Sequence, residues 1–434
     1  MRAGGRDEPP GLRTGAVTAG VPPMVSAATL AARVGFVIAL ARRLHEYGTA
    51  APRLEDAIDK VSARLGLACN ALSTPTSIVL SFAELDRGKD AVAEITQVIR
   101  LDPGNVNLAR LCQVDEIADR VIDGSLDIAS GHRLLAEIDR PPSARMQQLT
   151  VLSYGLSSAS VAALLKTSWA DIGVAAVSGW LIGLLARRAA RHPGFAASFE
   201  AISALLVTLL ATLISANLVP LSLNSVVLAS LIVLLPGMSL TVAVRELSTQ
   251  HLVSGVARMA GAMATLLKLT FGTVAATQLC RVLGIEPAEH GMAPVSVWVE
   301  WIALIAGAVS FAVLFRAARR DAALVIAAVL LGYTVTRLGG ARFGPEFGVF
   351  LAGLCMGAAS NLFARFAQRP GALVREPGII LLVPGSVGFK SLSLVFARDV
   401  LLGLDTAVSL LVLLITLVAG LLFGDLLVPP RRSL

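Results

Sequence analysis

The chain has 434 residues, is 55% hydrophobic and only 15% charged, and carries a formal net charge of +7. Average soluble domains are roughly 45–50% apolar and about 25% charged, so this composition excludes a largely disordered chain and points to the membrane class. Residues 1–148 hold 17 basic and 18 acidic side chains against 20 and 12 in residues 149–434, so the soluble part lacks the basic face that nucleic-acid binding needs.

Residues 1–27 are rich in Gly, Pro and Ala without periodicity and read as a disordered tail. Asp7 and Glu8 interrupt the basic n-region of a signal peptide, and the apolar run Ala27–Leu40 continues at helical spacing into Arg42-Arg43-Leu44-His45-Glu46. Cleavage is therefore not expected. Residues 28–145 read as a small cytoplasmic α+β domain. Ala28–Tyr47 is a helix closed by Gly48. Pro52–Leu65 is a second helix, with Pro52 at its start and Leu54, Ile58, Val61 and Leu65 on one face. Asn70–Phe82 and Ala91–Leu101 read as strands, followed by the turn Asp102-Pro103-Gly104. Asn107–Ile122 and Ser125–Ile138 are further helices, and Arg140-Pro141-Pro142 is the boundary. Asp115, Glu116 and Asp119 read as a solvated helix face.

From Leu149 the character changes. Runs long enough to span a ~30 Å hydrocarbon layer fall at 149–165, 172–186, 201–219, 221–244, 256–280, 295–315, 322–338, 346–363, 377–396 and 401–428. With the N-terminus inside, the inside segments carry 14 Lys and Arg residues and the outside ones five. The positive-inside rule then supports ten spans with both termini cytoplasmic. Trp169, Trp298 and Trp301 lie near span ends, as interface anchors do.

The membrane part repeats itself. Ser215-Ala216-Asn217-Leu218 matches Ala359-Ser360-Asn361-Leu362, and Leu234-Leu235-Pro236-Gly237 matches Leu382-Val383-Pro384-Gly385, at offsets of 144 and 148 residues. An Arg-acidic pair follows each Pro-Gly, at Arg245-Glu246 and Arg398-Asp399. A five-helix unit has an odd number of crossings, so residues 146–290 and 291–434 would be two inverted repeats, a transporter arrangement. The expected fold is an α-helical polytopic membrane protein, with ten transmembrane helices as two inverted five-helix repeats behind the α+β domain.

Pro-Gly inside a span removes an N–H and loosens the backbone. Freed carbonyls persist in lipid only where protein or a cavity covers them. One such break alone reads first as a plain kink. Paired breaks at Pro236-Gly237 and Pro384-Gly385 point to a binding site, with Ser386 beside the second. Ionisable groups within spans are costly. Lys268 and Lys390 are candidates for a carboxylate, Asp405 for an ammonium group or a proton, and Asn217 and Asn361 for hydrogen bonds to substrate. Each of these also reads as an interface or interhelical residue. Four scattered cysteines and five scattered histidines give no metal-ligand or redox spacing, so neither a metal nor a cofactor is expected. In the soluble domain, Thr74, Thr76 and Ser77 offer hydroxyls, but no Ser/His/Asp order or phosphate loop supports catalysis.

The chain resembles the threonine/serine exporter family over nearly its whole length after residue 28. The resemblance rests on Leu44-His45-Glu46-Tyr47-Gly48-Thr49 through Arg53-Leu54-Glu55, on Ser73-Thr74-Pro75-Thr76, and on Val114-Asp115-Glu116-Ile117-Ala118. In the membrane part it rests on Leu235-Pro236-Gly237, Arg245-Glu246-Leu247, His251-Leu252-Val253-Ser254-Gly255 and Val383-Pro384-Gly385-Ser386-Val387-Gly388-Phe389-Lys390. It implies export of L-threonine and L-serine across a bacterial inner membrane, driven by the proton gradient. It also implies that front and membrane parts occur as separate chains in relatives. The expected partners are a small amino acid, a proton and the lipid bilayer, with no nucleic acid, and a homo-oligomer is left open. The competing readings are a membrane-anchored sensor or regulatory protein and a membrane-tethered hydrolase.

Overall fold

A computed structural model describes residues 29–85, 94–139, 141–288 and 295–430. The expected tail, the first residues of the second expected strand, Arg140, Arg431 and Arg432 lie outside the described residues.

The front domain is α+β. Helix α1 (Leu30–Glu46) begins where the Thr29 hydroxyl accepts from the Ala32 N–H at 3.3 Å. Gly48 follows it with φ +82°, and a Cβ there would lie 2.9 Å from the Val106 nitrogen, so the turn requires glycine twice over. Helix α2 (Ala51–Arg64) carries Pro52 in its first turn. Strands β1 (Leu67–Thr74), β2 (Ser77–Glu84) and β3 (Ile95–Arg100) form an antiparallel sheet in that order.

The run Asn70–Phe82 is thus a hairpin and not a single strand. Thr74 pairs with Ser77 around a two-residue turn, and the Thr74 hydroxyl accepts from the Thr76 and Ser77 N–H groups at 3.3 and 3.0 Å. Pro75 has no N–H for a ladder, which fixes the reversal there. Helices α3 (Leu108–Ile122) and α4 (Ile128–Glu137) are capped by the side chains of Asn107 and Asp127. Phe36, Leu40, Leu44, Leu54, Ile58, Leu80 and Phe82 fill the core. Because α3 packs against α1, α2 and α4, Asp115 is buried and not on a solvated face.

The membrane part comprises α5 (Ala144–Leu164), α6 (Trp169–Ala189), the short α7 (Pro193–Ala196), α8 (Phe199–Asn217), α9 (Leu223–Leu231), α10 (Gly237–Ser248) and α11 (Leu252–Val282), then α12 (Val297–Leu314), α13 (Ala322–Phe343), α14 (Pro345–Ala367), α15 (Ala372–Ile379), α16 (Gly385–Phe396) and α17 (Val400–Leu427). Among the described residues, seven helices are long and apolar enough to cross a membrane: α6, α8, α11, α12, α13, α14 and α17.

The other three expected spans differ for identifiable reasons. The first run lies in α5, which is more polar and buries Ser153, Ser157, Ser158 and Ser160 against its neighbours. The runs 221–244 and 377–396 are each two short helices, α9–α10 and α15–α16, because Pro236 and Pro384 leave the helical region at ψ 37°.

Several helix contacts recur in the two halves. Helices α8 and α11 pack together, as do α14 and α17. The short helix α10 packs on α11, and α16 on α17. Across the halves, α10 also touches α17 while α16 touches α11. Helices α5 and α12 meet directly, through a 2.7 Å hydrogen bond between the Ser157 and Ser310 hydroxyls.

The front domain docks on one end of this assembly. The Leu108 and Ala109 N–H groups donate to the Phe315 and Arg316 carbonyls at 3.0 and 3.2 Å, and one apolar core runs from Leu44 and Val114 into Phe311, Phe315 and Leu373. The opposite end is tied by the Ser215 hydroxyl on the Ala288 carbonyl (2.8 Å) and by the Ser222 N–H on Asp171 (2.9 Å).

Candidate functional site

The two helix breaks meet. Pro236 and Pro384 adopt nearly the same backbone angles, φ −80° and −83° with ψ 37°, and each starts a 12-residue helix. A Cβ on Gly385 would stand 3.0 Å from both the Cα and the nitrogen of Gly237, and one on Gly237 would stand 3.2 Å from the Gly385 nitrogen. Bare glycine backbone at both positions is what permits this approach. Pro236, Gly237, Pro384 and Gly385 therefore form one junction, with Ser386 half-buried on its second arm.

A charged network stands between this junction and the front domain. Glu246, at the end of α10, is fully buried. It accepts two guanidinium hydrogen bonds from Arg258, both at 3.0 Å, and the Ala51 N–H at 3.1 Å. Charge-assisted, two-point bonding of this kind is what a buried carboxylate needs. Arg245 pairs with Asp425 at 2.7 Å, and the Asn361 amide donates to Asp425 at 2.7 Å and to the Val428 carbonyl at 2.8 Å. Glu55 of α2 accepts from Ser73 N–H at 2.7 Å and lies 3.2 Å from His251 Nε2. Burial holds the Glu55 carboxyl above the usual carboxylate range, against the opposing pull of that N–H and of His251.

Between these groups lies a cavity of about 100 Å³. The front domain contributes Tyr47, Thr49 and Arg53 to its wall; α10 and α11 contribute Ser239, Arg245 and Arg258; α15 contributes Arg375 and Glu376. Burial, together with the guanidinium groups of Arg375 and Arg245, pushes Arg53 well below the usual arginine range.

The other expected residues stand apart from the junction. Asn217 is exposed at the end of α8 and donates to its own helix, at the Leu213 carbonyl. Lys268 lies 3.5 Å from Glu200 on α8. Lys390 and Asp405 are exposed on α16 and α17. Glu300 is buried, bonded by the Tyr333 hydroxyl at 2.9 Å and by Arg337.

In the hairpin, the Thr74 and Ser77 hydroxyls bond each other at 2.9 Å, while His45 Nε2 meets the Thr74 carbonyl at 3.0 Å and neither hydroxyl. No nucleophile–base pair results. Among the described residues, no group of three His, Cys, Asp or Glu side chains comes together.

Sequence reasoning did not find the arginines of the cavity. The inside segments of the charge count include Arg245 and Arg375, yet Arg375 is only 3% exposed and lies within α15. The available signal was their position beside the two breaks.

A family model described as "Putative threonine/serine exporter" matches residues 35–280, and a second, "Threonine/Serine exporter", matches residues 300–427. A "Pheromone-regulated membrane protein 10" of Zygosaccharomyces rouxii is 25% identical over 374 residues, covering 85% of this chain and 38% of its own length. The Eremothecium gossypii protein of the same name is 25% identical over 85% of this chain and 50% of its own length. A "Probable threonine/serine exporter" of Mycobacterium tuberculosis is 24% identical over 76% of this chain and 64% of its own length. The chain thus spans half or less of these yeast relatives. No solved structure matches it. The chain belongs to the threonine/serine exporter family and is a multi-span membrane protein.

Proposed function

We propose that this member of the threonine/serine exporter family is a secondary active transporter that exports small neutral amino acids, L-threonine and L-serine, across the bacterial cytoplasmic membrane, driven by protons. The observation that carries the reading is the junction of the two breaks, where Gly237 and Gly385 touch backbone to backbone. Paired discontinuous helices in matching positions are how many secondary transporters build a substrate site.

The directions of the short helices support two inverted five-helix repeats. Helix α10 runs from the junction toward the front domain, where Glu246 meets Ala51. Helix α16 starts at the same junction, and its predecessor α15 begins beside the domain core at Ala372 and Leu373. At 1.5 Å per residue, a 12-residue helix spans about 18 Å, roughly half a bilayer, so the junction would lie near the midplane. The front domain rests on connections the charge count assigns to the cytoplasm, those at Glu246–His251 and Phe315–Arg316.

The test is flux. Vesicles containing the full chain should move labelled threonine or serine when a proton gradient is imposed, and an uncoupler should abolish the movement. Absence of flux for every small zwitterionic amino acid would sink the proposal.

A further inference from the structure

We propose that the cavity between the front domain and the membrane part is a carboxylate-binding site for the transported amino acid, and that the front domain completes it with Arg53, Tyr47 and Thr49. The proposal rests on the exporter reading and adds to it the residues that receive the substrate.

The charge balance points to a single carboxylate. Four guanidinium groups line the cavity, those of Arg53, Arg245, Arg258 and Arg375. Three carboxylates answer them: Glu246 holds Arg258, Asp425 holds Arg245, and Glu376 holds Arg375 at 3.3 Å. Arg53 forms no ion pair with any carboxylate of the described residues. One cation is left over, half-buried in the wall of the cavity.

Unused donors point the same way. Arg375 is 3% exposed and Tyr47 4% exposed. Arg375 uses its Nε on Glu376, but its Nη1 is buried without a partner. The Tyr47 hydroxyl and the Thr49 hydroxyl are also buried without partners. All three residues line this cavity. Buried polar groups are nearly always hydrogen-bonded, and several orphans around one space call for a ligand with acceptor oxygens. A carboxylate has two oxygens and about four acceptor sites, enough for Arg53, Arg375 Nη1 and one hydroxyl.

The volume selects the ligand further. A cavity of about 100 Å³ has room for a few waters and hence for a small polar molecule, not for a nucleotide. Glu376 bonds Arg375 through Oε1, and its Oε2, in the same wall, is the acceptor for the ammonium group of a zwitterion. Met238 and Ser239, also in the wall, directly follow the Gly237 break, so a ligand leaving the cavity would meet the junction next.

The experiment uses the purified full chain, in detergent for binding and in vesicles for flux. The probes are L-serine, ethanolamine (which lacks the carboxylate) and inorganic phosphate. Wild type should bind serine and not ethanolamine. R53Q should weaken serine binding and raise the flux KM by about 10- to 100-fold, the range expected for one charge-assisted hydrogen bond, with kcat within about threefold. R53K should fall between the two.

Y47F removes a hydroxyl that bonds nothing in the fold, so it should keep the folded protein intact and still raise KM severalfold. This keeps the test valid should R53Q misfold. Unchanged serine KM in folded R53Q and Y47F would overturn the inference while leaving the exporter reading in place. Arg53-dependent binding of phosphate without binding of serine would also overturn it, in favour of an inorganic anion site. Failure of wild type to move any amino acid would remove the exporter reading itself, and this inference with it.

Discussion

Replacing Glu246 with glutamine tests whether the front domain is held to the membrane part by buried electrostatics. Glu246 is 0% exposed and receives three donors: Arg258 Nε and Nη2, each at 3.0 Å, and the Ala51 N–H at 3.1 Å. Glutamine keeps one acceptor oxygen but loses the charge and the second acceptor. Removing one partner of a buried ion pair costs about 3–5 kcal/mol. Arg258 is 21% exposed and recovers some hydration, so about 2–4 kcal/mol is expected, using the discount due to a partly solvated partner.

The Ala51 amide provides a local readout, because of the three donors to Glu246 it is the one on the front domain. A loss of about 3 kcal/mol in the opening free energy corresponds to roughly 100-fold faster hydrogen exchange, at about 1.4 kcal/mol per tenfold. Exchange of peptides covering residues 47–54, followed by mass spectrometry on the full chain in detergent, measures it. R258Q alone should be at least as damaging, since it strands a buried carboxylate, and the double variant should recover about 1–3 kcal/mol of coupling. Unchanged exchange at Ala51 in E246Q, or strict additivity in the double variant, would refute the reasoning.

Three further outcomes are expected. G385A places a Cβ 3.0 Å from Gly237 backbone atoms; it should cost about 1–3 kcal/mol by overpacking and sharply lower flux, whereas G261A, with nothing within 4 Å of the new methyl, should leave flux unchanged and gain up to about 1 kcal/mol. P236A combined with P384A should abolish flux while the protein stays in the membrane, checked by fractionation beside the vesicle assay; normal flux would make both breaks plain kinks. His45 is buried and bonds the Thr74 carbonyl through Nε2, so burial holds its imidazole below the ordinary histidine range. The folded chain then binds fewer protons than the unfolded one, and stability should fall as pH drops below about 6.5 toward the folded-state pKa. The thermal midpoint of H45Q should vary less with pH across that window; parallel curves for the two proteins would reject the assignment.

Much of the fold was legible because it is local. Apolar residues every three to four positions place α1 to α4 within a few residues, and the Pro-Gly pairs mark where two membrane runs divide. The hairpin was not legible, since Ser73 through Ser77 is rich in strand-forming hydroxyl residues and only Pro75 hints at the reversal. Asp115 read as solvated because a helix face can be judged exposed or buried only once its neighbours are known, and here α3 is packed on several sides.

The sequence by itself determined what depends on neighbours along the chain: most of the helices, the neutral front domain and the two glycines able to approach closely. The tertiary structure alone decided which charges meet. Arg53, Arg245 and Arg375 come from three distant parts of the chain and line one cavity, while Lys268, Lys390 and Asp405, equally conspicuous in the sequence, lie on outer surfaces or beside a single neighbour. The physical reason is that an ionisable group in an apolar run is costly wherever it lies. Whether such a group ends on an outer surface, against one paired side chain or among several charges around one cavity depends on contacts between residues far apart in the chain.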